Sequence, residues 1–66
     1  MMTMNSKTIT LKLVNGQWMA RHSDPAVRVL FGTDTLPTAY TSSTSSETVR
    51  LEIQAKNPEF EVNVQE

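Results

Sequence analysis

Asn15-Gly16 stands between two alternating runs, TITLKLV and QWMARH, and no other feature limits the fold of this chain as strongly. Asn-Gly flanked by alternating apolar residues is the strongest short-range signal for a hairpin. Both central residues of a type I′ turn need positive φ, which Asn and Gly tolerate best. With these two as the loop, Val14 faces Gln17, Leu13 faces Trp18, Lys12 faces Met19 and Leu11 faces Ala20. Thr10 then faces Arg21, and Ile9 faces His22. Opposed residues project to the same side of a sheet. One face therefore carries Ile9, Leu11, Leu13, Trp18, Ala20 and His22, and the other Thr10, Lys12, Val14, Gln17, Met19 and Arg21. A slip of one residue would mix the two sets.

The rest of the chain is read from its caps and periods. In SDPAVRVLFG, Asp24 is a helix N-cap, Pro25 suits the first helical position and Gly32 is a terminator. A short helix over 25–31 puts Val27, Leu30 and Phe31 on one face; the competing reading is a strand. TDTLPTAYTSS is an extended connection, an edge strand or an ordered loop, because Pro37 removes a backbone donor. Val49, Leu51, Ile53 and Ala55 alternate with polar residues, which taken alone argues for a strand. The ends argue for a helix over 46–56. Thr44-x-x-Glu47 matches a capping box. Glu47 and Lys56 suit the helix dipole, Glu52 and Lys56 are spaced i, i+4, and Asn57-Pro58 is a stop. Phe60, Val62 and Val64 alternate as a half-buried C-terminal strand.

These readings combine into an α+β fold: an N-terminal β-hairpin, a short helix, an extended loop, a longer helix and a C-terminal strand (β-β-α-α-β). The longer helix is expected to pack on the Ile9/Leu11/Leu13/Trp18 face. The alternative is a small all-β barrel or sandwich. Residues 7–66 form one small domain behind a disordered tail, Met1–Ser6. A strand-strand-helix order with a hairpin start is similar to that of small antitoxin-like modules of the HicB type. The chain lacks their glycine-rich acidic motif and any appended DNA-binding segment, so the likeness is one of element order and no family follows from it.

Composition narrows the function classes. The chain has 66 residues, 38% of them hydrophobic and only four aromatic: Trp18, Phe31, Tyr40 and Phe60. So short a chain buries little of its surface, and dimerisation or a partner would add buried area. No cysteine is present, which removes disulfides and thiolate chemistry and points to the cytoplasm. No apolar run is long enough to span a membrane. The net charge is −1, and the cations are scattered, which argues against nucleic acid as the main partner.

No reacting group is assembled by the sequence. His22, the only histidine, reads as a half-buried residue hydrogen-bonded to a loop carbonyl. The run His22-Ser23-Asp24 has the residue types of a triad, but consecutive extended residues point in alternating directions. The acidic residues match no calcium or zinc pattern. No catalytic, cofactor or metal site is expected. The expected function is a small cytoplasmic, non-enzymatic interaction or regulatory module, with another protein or a second copy as partner. Its candidate contact residues are Thr35, Leu36, Thr38 and Tyr40 of the 33–43 loop, with Met19 on the polar face. Leu36 and Tyr40 are spaced so that one anchors the loop and the other faces outward. The alternative is a small nucleic-acid-binding dimer using Lys12, Arg21 and Arg28.

Overall fold

The computed structural model describes residues 7–65; the tail expected over Met1–Ser6 lies outside the described residues. The elements are β1 (Thr8–Val14), β2 (Gln17–His22), α1 (Pro25–Phe31), β3 (Thr35–Thr41), α2 (Ser46–Lys56) and β4 (Glu61–Val64). The four strands form one open sheet in the order β3-β2-β1-β4, so the fold is α+β and the sheet does not close into a barrel.

The β1–β2 hairpin has the register that the turn dictates, from Val14 opposite Gln17 to Ile9 opposite His22. Asn15 and Gly16 both have positive φ, 51° and 81°. β4 then adds to the other edge of β1 in parallel, with Val62 beside Ile9 and Val64 beside Leu11. A parallel neighbour needs a crossover helix, and α2 fills that role.

α2 covers one face of the sheet. Its period-2 apolar run is resolved by helical geometry: residues four apart share a face, so Val49 and Ile53 turn inward while Leu51 and Ala55 face solvent. Val49 is fully buried, and Ile53 packs against the core. That core is Ile9, Leu11, Trp18, Ala20, Val49 and Val62, with Tyr40, Phe60 and Val64 against it. Leu13 departs from expectation. It remains 42% exposed because α2 begins too far back to cover the hairpin end.

The cap of α2 is Ser45, one residue later than the Thr44-x-x-Glu47 box implied. Ser45 Oγ accepts from the Thr48 N–H at 3.3 Å and donates to Thr48 Oγ1 at 3.0 Å. Thr44 is committed elsewhere. Its N–H closes a turn onto the Thr41 carbonyl at 3.0 Å, and its own carbonyl accepts from the Trp18 indole at 3.1 Å. Glu47 still lies in the first turn, paired with Arg50 at 3.4 Å.

The far end of α2 is tied down by one side chain. Gln54 Nε2 donates to the carbonyls of Asn57 (3.2 Å) and Phe60 (2.7 Å), while its Oε1 accepts from the Val62 N–H at 3.4 Å. Asn57 Nδ2 donates back to the Ile53 carbonyl at 2.9 Å.

The extended 33–43 segment is a strand over most of its length, at the edge where Pro37 is tolerated. Its pairing is irregular: Met19 sits opposite Pro37, and Gln17 opposite Thr41. β3 thus spends four residues where β2 spends two. The excess is held by Thr38, whose hydroxyl donates to the Trp18 carbonyl at 2.8 Å and accepts from the Tyr40 N–H at 3.1 Å. Gln17 Nε2 donates to the Thr38 carbonyl at 2.8 Å.

Two measurements check this account. Gly16→Val puts a β-branched residue at positive φ and is expected to cost at least ~1 kcal/mol in a denaturant titration. Ser45→Ala is expected to cost about 0.5–2 kcal/mol as a lost N-cap. Thr44→Ala, which keeps the backbone bonds of Thr44, should cost clearly less in the same titration.

Candidate functional site

The five sequence-derived contact residues do not share one surface. Thr35 pairs with Arg21 and Leu36 with Ala20, so consecutive residues of β3 lie on opposite faces of the sheet. Met19 and Thr35 belong to the face that α2 leaves uncovered. Leu36 and Tyr40 both line a cleft of about 210 Å³ between β3 and α2, with Ile9, Ala20, His22 and Ile53. Both are half-buried, so neither is the outward-facing residue that their spacing implied. Thr38 is occupied by the β3 irregularity.

Most hydroxyls of this region are likewise engaged locally. Thr33 Oγ1 accepts from the Thr35 N–H, Thr35 Oγ1 donates to Asp34 Oδ1, and Thr41 Oγ1 bonds Ser43 Oγ. They order the chain at its bends.

The uncovered face does bring Lys12 and Arg21 together. Both line a shallow depression of about 230 Å³ with Thr10, Val14, Met19 and Thr35. β4 places Glu61 on the same face, two residues from Asn63, which pairs with Thr10.

His22, Ser23 and Asp24 serve structure separately. Ser23 Oγ accepts from the Thr8 N–H at 2.8 Å and so latches β1. Asp24 Oδ1 caps α1 by accepting from the Ala26 N–H at 3.0 Å. The His22 backbone N–H donates to the Asp34 carbonyl at 2.7 Å. The loop-carbonyl bond expected of the ring is thus made by the main chain. The ring packs edge-on against Phe60, centroids 6.1 Å apart, and its Nδ1 is buried with no partner. Burial lowers the His22 pKa below its ordinary 6.5, and the Asp24 charge opposes that shift only in part. Among the described residues no three histidine, aspartate or glutamate side chains converge.

The element that sequence reasoning undervalued is α1. Asp24 caps its start, Pro25 occupies its first turn, and Gly32, at φ 78°, closes its end by donating to the Arg28 carbonyl at 2.9 Å. None of its residues is buried. Val29 is 83% exposed, Leu30 76% and Phe31 61%. The i, i+3, i+4 spacing of Val27, Leu30 and Phe31 had the form of a core-facing stripe, but the helix stands beyond the end of the sheet, where there is no core to meet. The signal available in the sequence was Val29, which sits opposite that stripe and makes the helix apolar almost all round. No helix among the described residues is long and apolar enough to cross a membrane. The chain matches no protein-family model, no curated protein and no solved structure.

The His22 environment carries a pH dependence of fixed sign. The folded state disfavours the imidazolium relative to the unfolded chain, so this contribution to stability is present above pH 6.5 and is lost as pH falls through the lowered folded value. Denaturation midpoints at several pH values between 7.5 and 5 are expected to fall for the wild type. They should fall less for His22→Gln, which has no proton to gain.

Proposed function

We propose that this chain is a small, non-enzymatic protein-interaction module of the cytoplasm that presents α1 as its contact element. The observation that carries this reading is the exposure of Val29, Leu30 and Phe31 on a helix with no buried residue. A helix of seven residues is too short to hold itself together in water, and short helices draw their stability from packing an apolar face. This one has capping interactions at both ends, and of its apolar side chains only Val27 is even half-buried. An apolar helix surface received into a partner's groove is a common mode of protein recognition, and contiguous apolar patches of some 300–600 Å² on small proteins are often functional. The absence of cysteine supports the assignment to a reducing compartment. Met19 and Thr35, on the uncovered sheet face, add a second contact surface.

The second reading, nucleic-acid binding, is favoured by one observation: Lys12 and Arg21 share the uncovered face. Two cations neutralise about two phosphates, against the roughly 6–10 contacts of a strong binder, and Glu61 lies on the same face. The protein reading is therefore preferred.

Affinity capture from the native host distinguishes the two. Phe31→Asp is expected to change the melting temperature little, since Phe31 is 61% exposed and lies outside the core cluster, and to lose the proteins that the wild type retains. Identical capture by the two forms, or retention of nucleic acid that weakens steeply with salt, would count against the proposal.

A further inference from the structure

The sheet face that α2 leaves uncovered holds a feature independent of α1. Its depression of about 230 Å³ is lined by Lys12 and Arg21, and no carboxylate of the described residues lines it. Strand register sets the geometry. Lys12 lies opposite Met19, and Thr10 opposite Arg21, so the two cations are diagonal neighbours on one face. Such positions are about 7–8 Å apart, within reach of long side chains.

The side-chain ion pairs among the described residues are Lys7–Asp24 and Arg50–Glu47, so neither Lys12 nor Arg21 is neutralised by them. Like charges this close repel, and the register that gathers the core on one face forces them together on the other. Thr10 is half-buried beside them, and its hydroxyl makes no hydrogen bond among the described residues. Gln65 brings an amide to the rim, its backbone N–H held by the Leu11 carbonyl at 2.8 Å. Thr35 also lines the depression, but its hydroxyl already donates to Asp34 Oδ1 at 3.0 Å.

We propose that this depression binds the phosphoryl group of a small phosphomonoester, held between Lys12 and Arg21. Charge fits, because a phosphomonoester carries about −1.5 to −2 at neutral pH and two cations face it. Oxygen count fits as well. A guanidinium fork takes two oxygens of an oxyanion, and a phosphoryl group has a third for the Lys12 ammonium and the Thr10 hydroxyl. A carboxylate has one charge and two oxygens, so it fills the fork and leaves Lys12 unmatched. A phosphodiester strand carries one charge per phosphate and needs a run of cations, and beyond Thr10 this face carries Glu61, beside Thr8. The volume is below the roughly 300–1,000 Å³ of pockets for drug-sized ligands, so the carrier of the phosphoryl group is small.

Amide chemical shifts followed by NMR at neutral pH and constant ionic strength test this, with inorganic phosphate and then O-phosphoserine as probes. Thr10, Lys12 and Arg21 should shift saturably with both. Arg21→Gln should weaken binding about tenfold, the scale of losing a charged hydrogen-bond partner, and Lys12→Gln severalfold. Lys56→Gln, on α2, should change nothing. Melting temperatures give a second readout that does not depend on the shifts. Phosphate stabilises any protein somewhat by exclusion, but the wild type should gain more than Arg21→Gln, because only it gains from binding as well. Shifts that never saturate, or that appear equally at Lys7, Arg28 and Arg50, would mean screening alone and overturn the inference. So would a single-stranded oligonucleotide or a phosphoserine peptide that binds more than about tenfold tighter than O-phosphoserine, which would assign the face to nucleic acid or to a protein partner. Capture by Phe31→Asp tests α1 alone, so either reading can fail without the other.

Discussion

Two consecutive residues with positive φ, Asn15 and Gly16, hold β1 against β2 in one register, and the rest of the molecule depends on that register. It places Ile9, Leu11, Trp18 and Ala20 on a single face, and these are four of the six buried core residues. α2 has a surface to cover only because they are gathered there. The same register puts Lys12, Met19 and Arg21 on the other face, which stays open to solvent. Strand pairing has period two, so no partial slip preserves either face. The turn thus fixes where the core lies and which side remains available to other molecules.

Much of this fold was legible in the chain, for local reasons. All six hairpin pairs follow from counting outward from Asn15-Gly16. Asp24, Pro25 and Gly32 mark α1 because each acts on the nearest backbone groups, and Pro37 marks β3 as an edge for the same reason. What was not legible depends on distance. Thr44 and Ser45 are equally good caps by residue type; the choice falls to Ser45 because the Trp18 indole, far away in sequence, claims the Thr44 carbonyl. The stripe on α1 has the same spacing as a core-facing stripe, and only its position beyond the end of the sheet leaves it exposed. The contact residues of β3 were scattered by pleat geometry: Thr35 and Leu36 are neighbours in sequence and on opposite faces in space. Parallel pairing of β4 with β1 has no local signature either.

An open four-stranded sheet has two edges, and unpaired edges recruit foreign strands. The two are guarded differently. At β3, Pro37 lacks a donor, and the Thr38 irregularity breaks the even spacing that an incoming strand would need. At β4, the strand is only four residues long, and the Gln54 side chain occupies the Val62 N–H. Gln54 also holds the Asn57 and Phe60 carbonyls, so the group that ends the sheet also fastens the turn leading into it. Both backbone edges are thus discouraged from pairing with a foreign strand.

The parallel pairing of β4 with β1 has a kinetic consequence. β1, β2 and β3 are joined by near neighbours in sequence and can assemble from local contacts. Val62 reaches Ile9 only across about fifty intervening residues, a loop closure that slows folding. Until that closure occurs, β1 lies at an edge and the side chains of Ile9 and Leu11 lack part of their cover. During synthesis this interval lasts until β4 has emerged from the ribosome, several seconds at ordinary elongation rates of roughly 5–20 residues per second. Throughout that time the nascent hairpin shows an unguarded strand and an apolar face, the kind of exposure that makes an unfinished chain prone to aggregate.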